Sequence, residues 1–471
     1  MRVRQPLSRL FARRQSDWEK AIGEVLSLRQ EGRLDEALPV AEKALQIART
    51  AHHQESEEVA CSLDQLAYLK IAQGDLSGAE PLLKSSLNIW ENNPALYNTE
   101  AAEAHHWLGE VYWMTGRMEK AAEHLQSALE IKEKLGGEPT PELAQAYESL
   151  GQVSQHLSRN DDARRYFQKS IAAFNKVFGP NNLQGVGAQE YLASVFRMSG
   201  DYNRAERLLE ENLKILRENL GDLHPDLMSA LGQLGQLLLE QGKYAEAEPV
   251  FQEVCGITRA VFGPRHVNYA GGLGNLVDIH RATGNFGEAE KAARNILEIL
   301  EDNYAHPHRE IINAAENLAS IYASQGRYSE AEPHFRNALA DLVQLTGEKH
   351  PDYLRSLINF ADLLNALNQL DEADRLFTQA ALLTEQVMGR NHVQCATIAL
   401  RQCHLALSRG QYEPAEHFYL KALHILEKHL GPHHPDVVGL MRQIVEFYEN
   451  IGKNSDARRL TDRITQVQSR N

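Results

Sequence analysis

Residues Tyr322–Phe335 read YASQGRYSEAEPHF. The line LLEQGKYAEAEPVF begins 84 residues earlier at Leu238, and a looser copy, HRATGNFGEAEKAA, lies between them at His280. Internal periodicity has to be tested before any local reading. Steps of 42 from Gly326 land on Gly32, Gly74, Gly116, Ser158, Gly200, Gly242, Gly284, Asn368, Gly410 and Gly452. Five residues after each of these eleven positions stands an alanine, from Ala37 to Ala457, with no exception and no insertion. Eleven repeats therefore fill the chain from about Arg14 to its end.

Inside one repeat the apolar period is helical on both sides of the glycine. Ala315, Leu318, Ala319 and Tyr322 fall at i, i+3, i+4 and i+7, and Ala331, Phe335, Ala338 and Leu339 at i, i+4, i+7 and i+8. The glycine between the two stripes ends the first helix in the left-handed conformation. Asn368 is the residue best able to replace it, and Ser158 fits poorly. Each repeat is thus an antiparallel pair, helix A then helix B, with the invariant alanine where the two backbones approach. The joints between repeats carry GDLHPD from Gly221, GEKHPD from Gly347 and GPHHPD from Gly431. There the glycine closes helix B, the proline suits the first turn of the next helix A, and the aspartate complements the helix dipole.

Composition sets limits on function. The chain has 471 residues, 43% of them hydrophobic, and a net charge of −15. An acidic chain lacks the basic footprint that nucleic acid or an anionic membrane requires. No run approaches the roughly 18 apolar residues of a membrane span, so a soluble protein is expected, without membrane insertion and without nucleic acid. Cys61, Cys255, Cys395 and Cys403 show no paired spacing and read as reduced thiols.

A two-helix repeat with these small and aromatic positions resembles the tetratricopeptide repeat. The 42-residue period, with G-x-x-H-P-D and G-[KR]-Y-x-E-A-E-P, resembles the kinesin-light-chain-type subclass. Ordinary tetratricopeptide repeats run to about 34 residues. The resemblance implies an all-α, right-handed superhelical α-solenoid of eleven antiparallel helix pairs over 15–471, with 1–14 as a basic tail. Departures gather early: Thr140 and Asn182 replace the loop histidine, and Glu24 stands where leucine is usual. The heptad region with which a kinesin light chain binds its heavy chain has no counterpart here. The polar last helix, from Lys453, suits the end of a stack.

Candidates for chemistry are few. His224, His266, His308, His350, His392 and His434 recur every 42 residues, but helix layers about 8–10 Å thick separate them, whereas zinc–nitrogen bonds are about 2.0–2.1 Å. Loop packing and capping is their reading, and neither a metal nor any other cofactor is expected. The nucleophile, phosphate-loop and dinucleotide motifs are absent, and no strand pattern exists to carry them, so no catalytic residue is assigned and the chain is not expected to be an enzyme.

What remains is the inner wall that the resemblance assigns to the A helices. Nine residues before each turn glycine stand, among others, Gln65, Trp107, Tyr191, Asn275, Asn317, Asn359 and Arg401. Three successive asparagines resemble groove asparagines that hold a peptide backbone, since a carboxamide offers both a donor and an acceptor. Asn313, Arg355 and Asn365 extend that set. Trp107, Trp113 and Tyr191, with Met114 and Met198, form a second, more apolar candidate. The expected role is a scaffold that binds an extended segment of a protein partner, with the arginines favouring an acidic residue or a free carboxylate. The alternative is an assembly or regulatory subunit that docks folded partners, or itself, through the convex face and ends. The first fourteen residues, MRVRQPLSRLFARR, hold five arginines and no acid. They read as a disordered tail on a cytoplasmic protein, with organellar import as the alternative.

Overall fold

The computed structural model describes residues 16–92, 99–136 and 138–468, so the proposed tail lies outside the described residues. The chain divides into two compact units, Met1–Leu237 and Leu238–Asn471. In the first, five A/B pairs follow one another: α1 (Asp17–Gln30) and α2 (Leu34–Ala51), α3 (Glu57–Ala72) and α4 (Leu76–Asn92), α5 (Thr99–Met114) and α6 (Met118–Leu135), α7 (Pro141–His156) and α8 (Asn160–Phe178), α9 (Val186–Met198) and α10 (Tyr202–Leu220). Helix α11 (Leu227–Glu240) runs across the division and α12 (Tyr244–Phe262) follows it. Five further pairs make up the second unit: α13 (Val267–Ala282) and α14 (Phe286–Asn303), α15 (Arg309–Ser324) and α16 (Tyr328–Leu345), α17 (Pro351–Ala366) and α18 (Leu370–Met388), α19 (Val393–Ser408) and α20 (Tyr412–Leu430), α21 (Pro435–Asn450) and α22 (Asn454–Gln468). The described residues contain no strand and no helix long and apolar enough to cross a membrane. Within each unit a helix packs on its chain neighbours, as stacking in an α-solenoid requires.

The two punctuation marks act as their chemistry predicts. At the A-to-B turn Gly326 has φ +73°, and Arg327 N–H reaches back to Tyr322 C=O at 2.9 Å, the six-to-one bond that satisfies an orphan carbonyl. Asn368 and Ser158 take the same left-handed conformation, each at φ 59°, with the matching bonds Gln369 N to Leu364 O and Arg159 N to Ser154 O at 2.8 Å. Serine was the poor fit by sequence, and the turn nevertheless imposes the conformation on it. The eleven column alanines are buried, ten at 0% exposure and Ala457 at 4%.

At the B-to-A joint the recurrent histidine accepts the N–H two residues on; His266, His308, His350, His392 and His434 are the N-caps of their A helices, whereas α11 begins three residues after His224. Nδ1 of His350 accepts the Asp352 N–H at 3.1 Å, and His224, His266, His308, His392 and His434 accept equivalent bonds at 3.1–3.3 Å. The early departures keep the task with other side chains. Ser56 and Thr140 cap α3 and α7 by accepting from Val59 N and Leu143 N, and Asn182 accepts from Gly185 N at the 3-10 turn Leu183–Gly185 that leads into α9; these are favoured capping residues. Among the described residues the column thus preserves an acceptor, whatever the residue that carries it. Glu24 is exposed on α1, so its departure opens no polar hole in the core.

Candidate functional site

The A helices meet one another with a fixed stagger. Gln155 donates to Ser194 Oγ and lies against Met198 Sδ, and Glu190 accepts from Ser229 Oγ and from Gln233 Nε2, at separations of 39 and 43 residues in both cases. A side chain on one A helix therefore faces the residues one repeat on, less three or plus one. The same spacing sets Tyr68 against Trp107, whose rings lie 4.2 Å apart at 66°.

In the second unit Asn275 is half-buried on α13, while Asn317 on α15 and Asn359 on α17 are exposed. None of these three carboxamides has a side-chain hydrogen bond among the described residues. Asn313 differs, because it accepts from Arg355 Nη2 at 3.3 Å. Asn365 is half-buried one turn beyond Asp362. The arginines do not stand as free positive charge. Arg355 Nη2 lies 3.8 Å from Glu316 Oε2 and 3.7 Å from Asp352 Oδ1, and Arg401 Nε lies 3.4 Å from Asp362 Oδ2. Asp352, whose backbone His350 caps, also pairs with Arg309. Glu316, only 6% exposed, is held above the usual carboxylate range by loss of solvation, with Arg355 pulling the other way. Burial likewise raises Asp362, against Arg401 and His404.

The first unit's wall is of another kind. Trp107 is half-buried behind Tyr68, and the Arg29 guanidinium reaches from α1 to lie 3.4 Å over the Tyr68 ring and 5.8 Å from Trp107. It also donates to Gln65. Trp113 is half-buried, its ring 6.4 Å from that of His156. Tyr191 stacks one face on Phe167 at 5.5 Å and 12° and remains 39% exposed. The apolar candidate is thus part wall and part surface: two tryptophans largely packed away, with Tyr191, Met114 and Met198 open. The same A helices carry carboxylates that lost solvation holds above their ordinary range. They are Asp64, pushed up to about 7, with Glu103, Glu148 and Glu190. Asp64 Oδ2 accepts from Trp90 Nε1 at 3.0 Å.

Sequence reading of the asparagine column passed over this set, although Glu148, Glu190 and Glu316 occupy the column one residue before it. Arg29 and Tyr68 were also missed, and the 39-residue stagger is the signal that joins them. No three His, Cys, Asp or Glu side chains converge on a metal-sized site among the described residues. The cysteines are free, and burial pushes the Cys255 thiol up to about 11 and that of Cys403 up to about 12.

The tetratricopeptide repeat signature matches residues 22–92, 100–176, 186–260 and 310–386, and a second tetratricopeptide repeat signature matches 405–436. A Podosopora anserina protein with nearly identical TPR-like repeats of kinesin-light-chain kind is 22% identical over 43% of this chain and 95% of its own, with a TM-score of 0.40. BtubC (BKLC) from P. vanneervenii is 24% identical over 49% of this chain and 92% of its own, at 0.42. The apo quorum sensor NprR from B. thuringiensis, 13% identical, covers 87% of this chain and 99% of its own, at 0.47. No curated protein matches. The repeat signatures span well over half of the residues, and tetratricopeptide repeat proteins serve in general as non-enzymatic scaffolds for protein–protein interaction. This chain belongs to the tetratricopeptide repeat family.

Proposed function

We propose that the protein is an interaction scaffold whose second unit holds an extended segment of a partner along the A helices. The observation that carries this reading is the row Asn275, Asn317 and Asn359, one repeat apart, whose carboxamides find no partner within the protein among the described residues. An extended peptide leaves its backbone donors and acceptors free, and each carboxamide can satisfy one of each. Each such bond nets about 0.5–1.5 kcal/mol, so the row supplies only a few kcal/mol and side-chain contacts add the rest. An affinity near the micromolar range, about −8 kcal/mol, is expected. An acidic residue on the partner would have to displace Glu316 or Asp352 from Arg355, or Asp362 from Arg401, so carboxamide recognition of the backbone leads and charge follows.

The test is the triple change of Asn275, Asn317 and Asn359 to alanine, measured against a partner recovered from the native source. Alanine keeps helix propensity, so circular dichroism should stay unaltered while affinity falls at least about tenfold, or about 1.4 kcal/mol. Unchanged affinity in a folded triple variant would move the interaction to the convex face and ends.

A further inference from the structure

The first unit's wall carries a feature that the carboxamide row does not use. Glu148 on α7 is met from α9 at the two places the stagger dictates. At Gly187 a Cβ would come within 3.3 Å of Glu148 Oε1, and at Tyr191 the phenol feels the Glu148 charge. Gly187, Glu190 and Tyr191 stand at i, i+3 and i+4 and so share one face of α9. Glu148 and the open face of the Tyr191 ring therefore stand together, with the missing side chain at Gly187 leaving room beside Glu148, while Glu190, one repeat on from Glu148, turns its carboxylate toward α11.

Neither carboxylate has a cation. Glu148 is met by Gln152 Nε2 at 3.4 Å, and Glu190 by Ser229 Oγ at 2.6 Å and Gln233 Nε2 at 3.1 Å. No basic group lies within ion-pair distance of either among the described residues. Arg197, on the same helix as Glu190, is two turns away, about 10 Å along the axis. Both carboxyls are held above the ordinary range by lost solvation, the state that an approaching positive charge relieves. Earlier on the wall the chain shows which cation such a surface accepts. Arg29 lays its guanidinium over Tyr68 beside Trp107, bonded to Gln65; burial pulls its basicity down, and Tyr68 and the Glu103 charge pull the other way. Tyr191 occupies the column of Trp107 two repeats on, and among the described residues no arginine lies over its ring.

We propose that the wall formed by Glu148, Glu190 and Tyr191 docks an arginine side chain from an extended segment of a partner protein. The planar guanidinium stacks on the open face of Tyr191 and donates to Glu148, with the Glu190 charge adding attraction from the other side of the ring, a combination that the point charge of lysine reproduces less well. The wall continues along α9 through Ser194 to the exposed Met198, which suits the residues flanking the arginine in a chain rather than an isolated small cation. A net charge of −15 draws a basic segment in. This site does not depend on the asparagine row.

The experiment selects a random phage-displayed peptide library on the full chain and measures a recovered peptide by fluorescence anisotropy. Arginine should be enriched, and replacing it with lysine should weaken binding. The variant E148Q/E190Q should lose at least about tenfold in affinity. The charge-matched E119Q/E210Q, at exposed glutamates on B helices, and the triple asparagine variant should keep full affinity. Equal losses in the two glutamine pairs would mean general charge attraction and would overturn the proposal. Competition by free arginine amide as strong as the peptide itself would do the same, by showing a small-cation site. Recovered peptides that depend on the asparagines and ignore Glu148 and Glu190 would overturn it while supporting the carboxamide groove, and failure to recover any peptide would count against both.

Discussion

In the first unit the A helices carry Tyr68, Trp107 and Tyr191 and, with them, Asp64, Glu148 and Glu190, and among the described residues Arg29 is the cation that lies on these three rings. In the second unit the column of Trp107 and Tyr191 holds Asn275, Asn317 and Asn359, beside arginines that already face carboxylates. The packing columns do not differ in this way: the alanine on helix B is buried in both units. A repeat fixes where a side chain stands, because the A/B contact and the stagger are common to all copies. The stack makes no demand on the groups that face outward from it, so one scaffold carries two surfaces.

The largest effect is expected from removing a buried carboxyl from the first unit. Asp64 has its carboxyl raised from 3.8 to about 7 by burial. Its folded-state value lies above the unfolded one, so the stability it allows is fully present below pH 3.8 and is lost as pH rises through about 7. Asp64→Asn, which keeps an acceptor for Trp90, should therefore stabilise the protein above pH 7 by at most on the order of 4 kcal/mol, and by almost nothing in acid. Melting curves across that pH range measure it. A gain independent of pH would show that the carboxyl is not strained by its surroundings.

Packing should show no difference between units. Ala163→Leu in the first and Ala331→Leu in the second replace fully buried alanines at the same column, and each should cost about 1–3 kcal/mol by overpacking. In a nearest-neighbour stack the loss of hydrogen-exchange protection should stay within the altered pair and its neighbours. Loss spread over a whole unit would replace the stacked-repeat picture with a single cooperative core.

Capping sharpens the contrast between early and late repeats. His350→Ala should cost about 1 kcal/mol at the start of α17, read as faster exchange of the Asp352 amide, whereas His350→Asn should cost a few tenths. An equal loss in both variants would mean that the imidazole matters for packing rather than as an acceptor.

Much of this was legible in the sequence because it is set by the backbone. Gly326 and its relatives mark the left-handed turn, Ala331 and its relatives the close approach, and the histidine column the loop. The capping role of Thr140 and Asn182 was hidden because several residue types provide the same acceptor. The charge state of the walls was hidden for another reason. Arg355 reads as a free cation until Glu316, on the preceding A helix, is found against it, and Arg29 reads as a surface residue until Tyr68 and Trp107 are found beneath it. Such contacts follow the stagger between neighbouring A helices rather than the 42-residue period, and a search for identical columns does not see them.

The smallest effect concerns the two turns that lack glycine. Ser158 and Asn368 share φ 59° and the same closing hydrogen bond, yet their side chains differ in how well they tolerate that region. Asparagine visits the left-handed conformation routinely, whereas an ordinary residue with a Cβ meets the following carbonyl there, at a cost of roughly 1–2 kcal/mol. Glycine removes the clash but gives back part of the gain through the greater freedom of the unfolded chain. Ser158→Gly should therefore stabilise the α7–α8 turn by about 0.5–1 kcal/mol, and Asn368→Gly should change the α17–α18 turn by less. Exchange of the Arg159 and Gln369 amides, which close the two turns, reads each locally. If Ser158→Gly slowed exchange no more than Asn368→Gly did, the strain assigned to serine would be absent, and the first unit's turn would be as well suited to its residue as the second's.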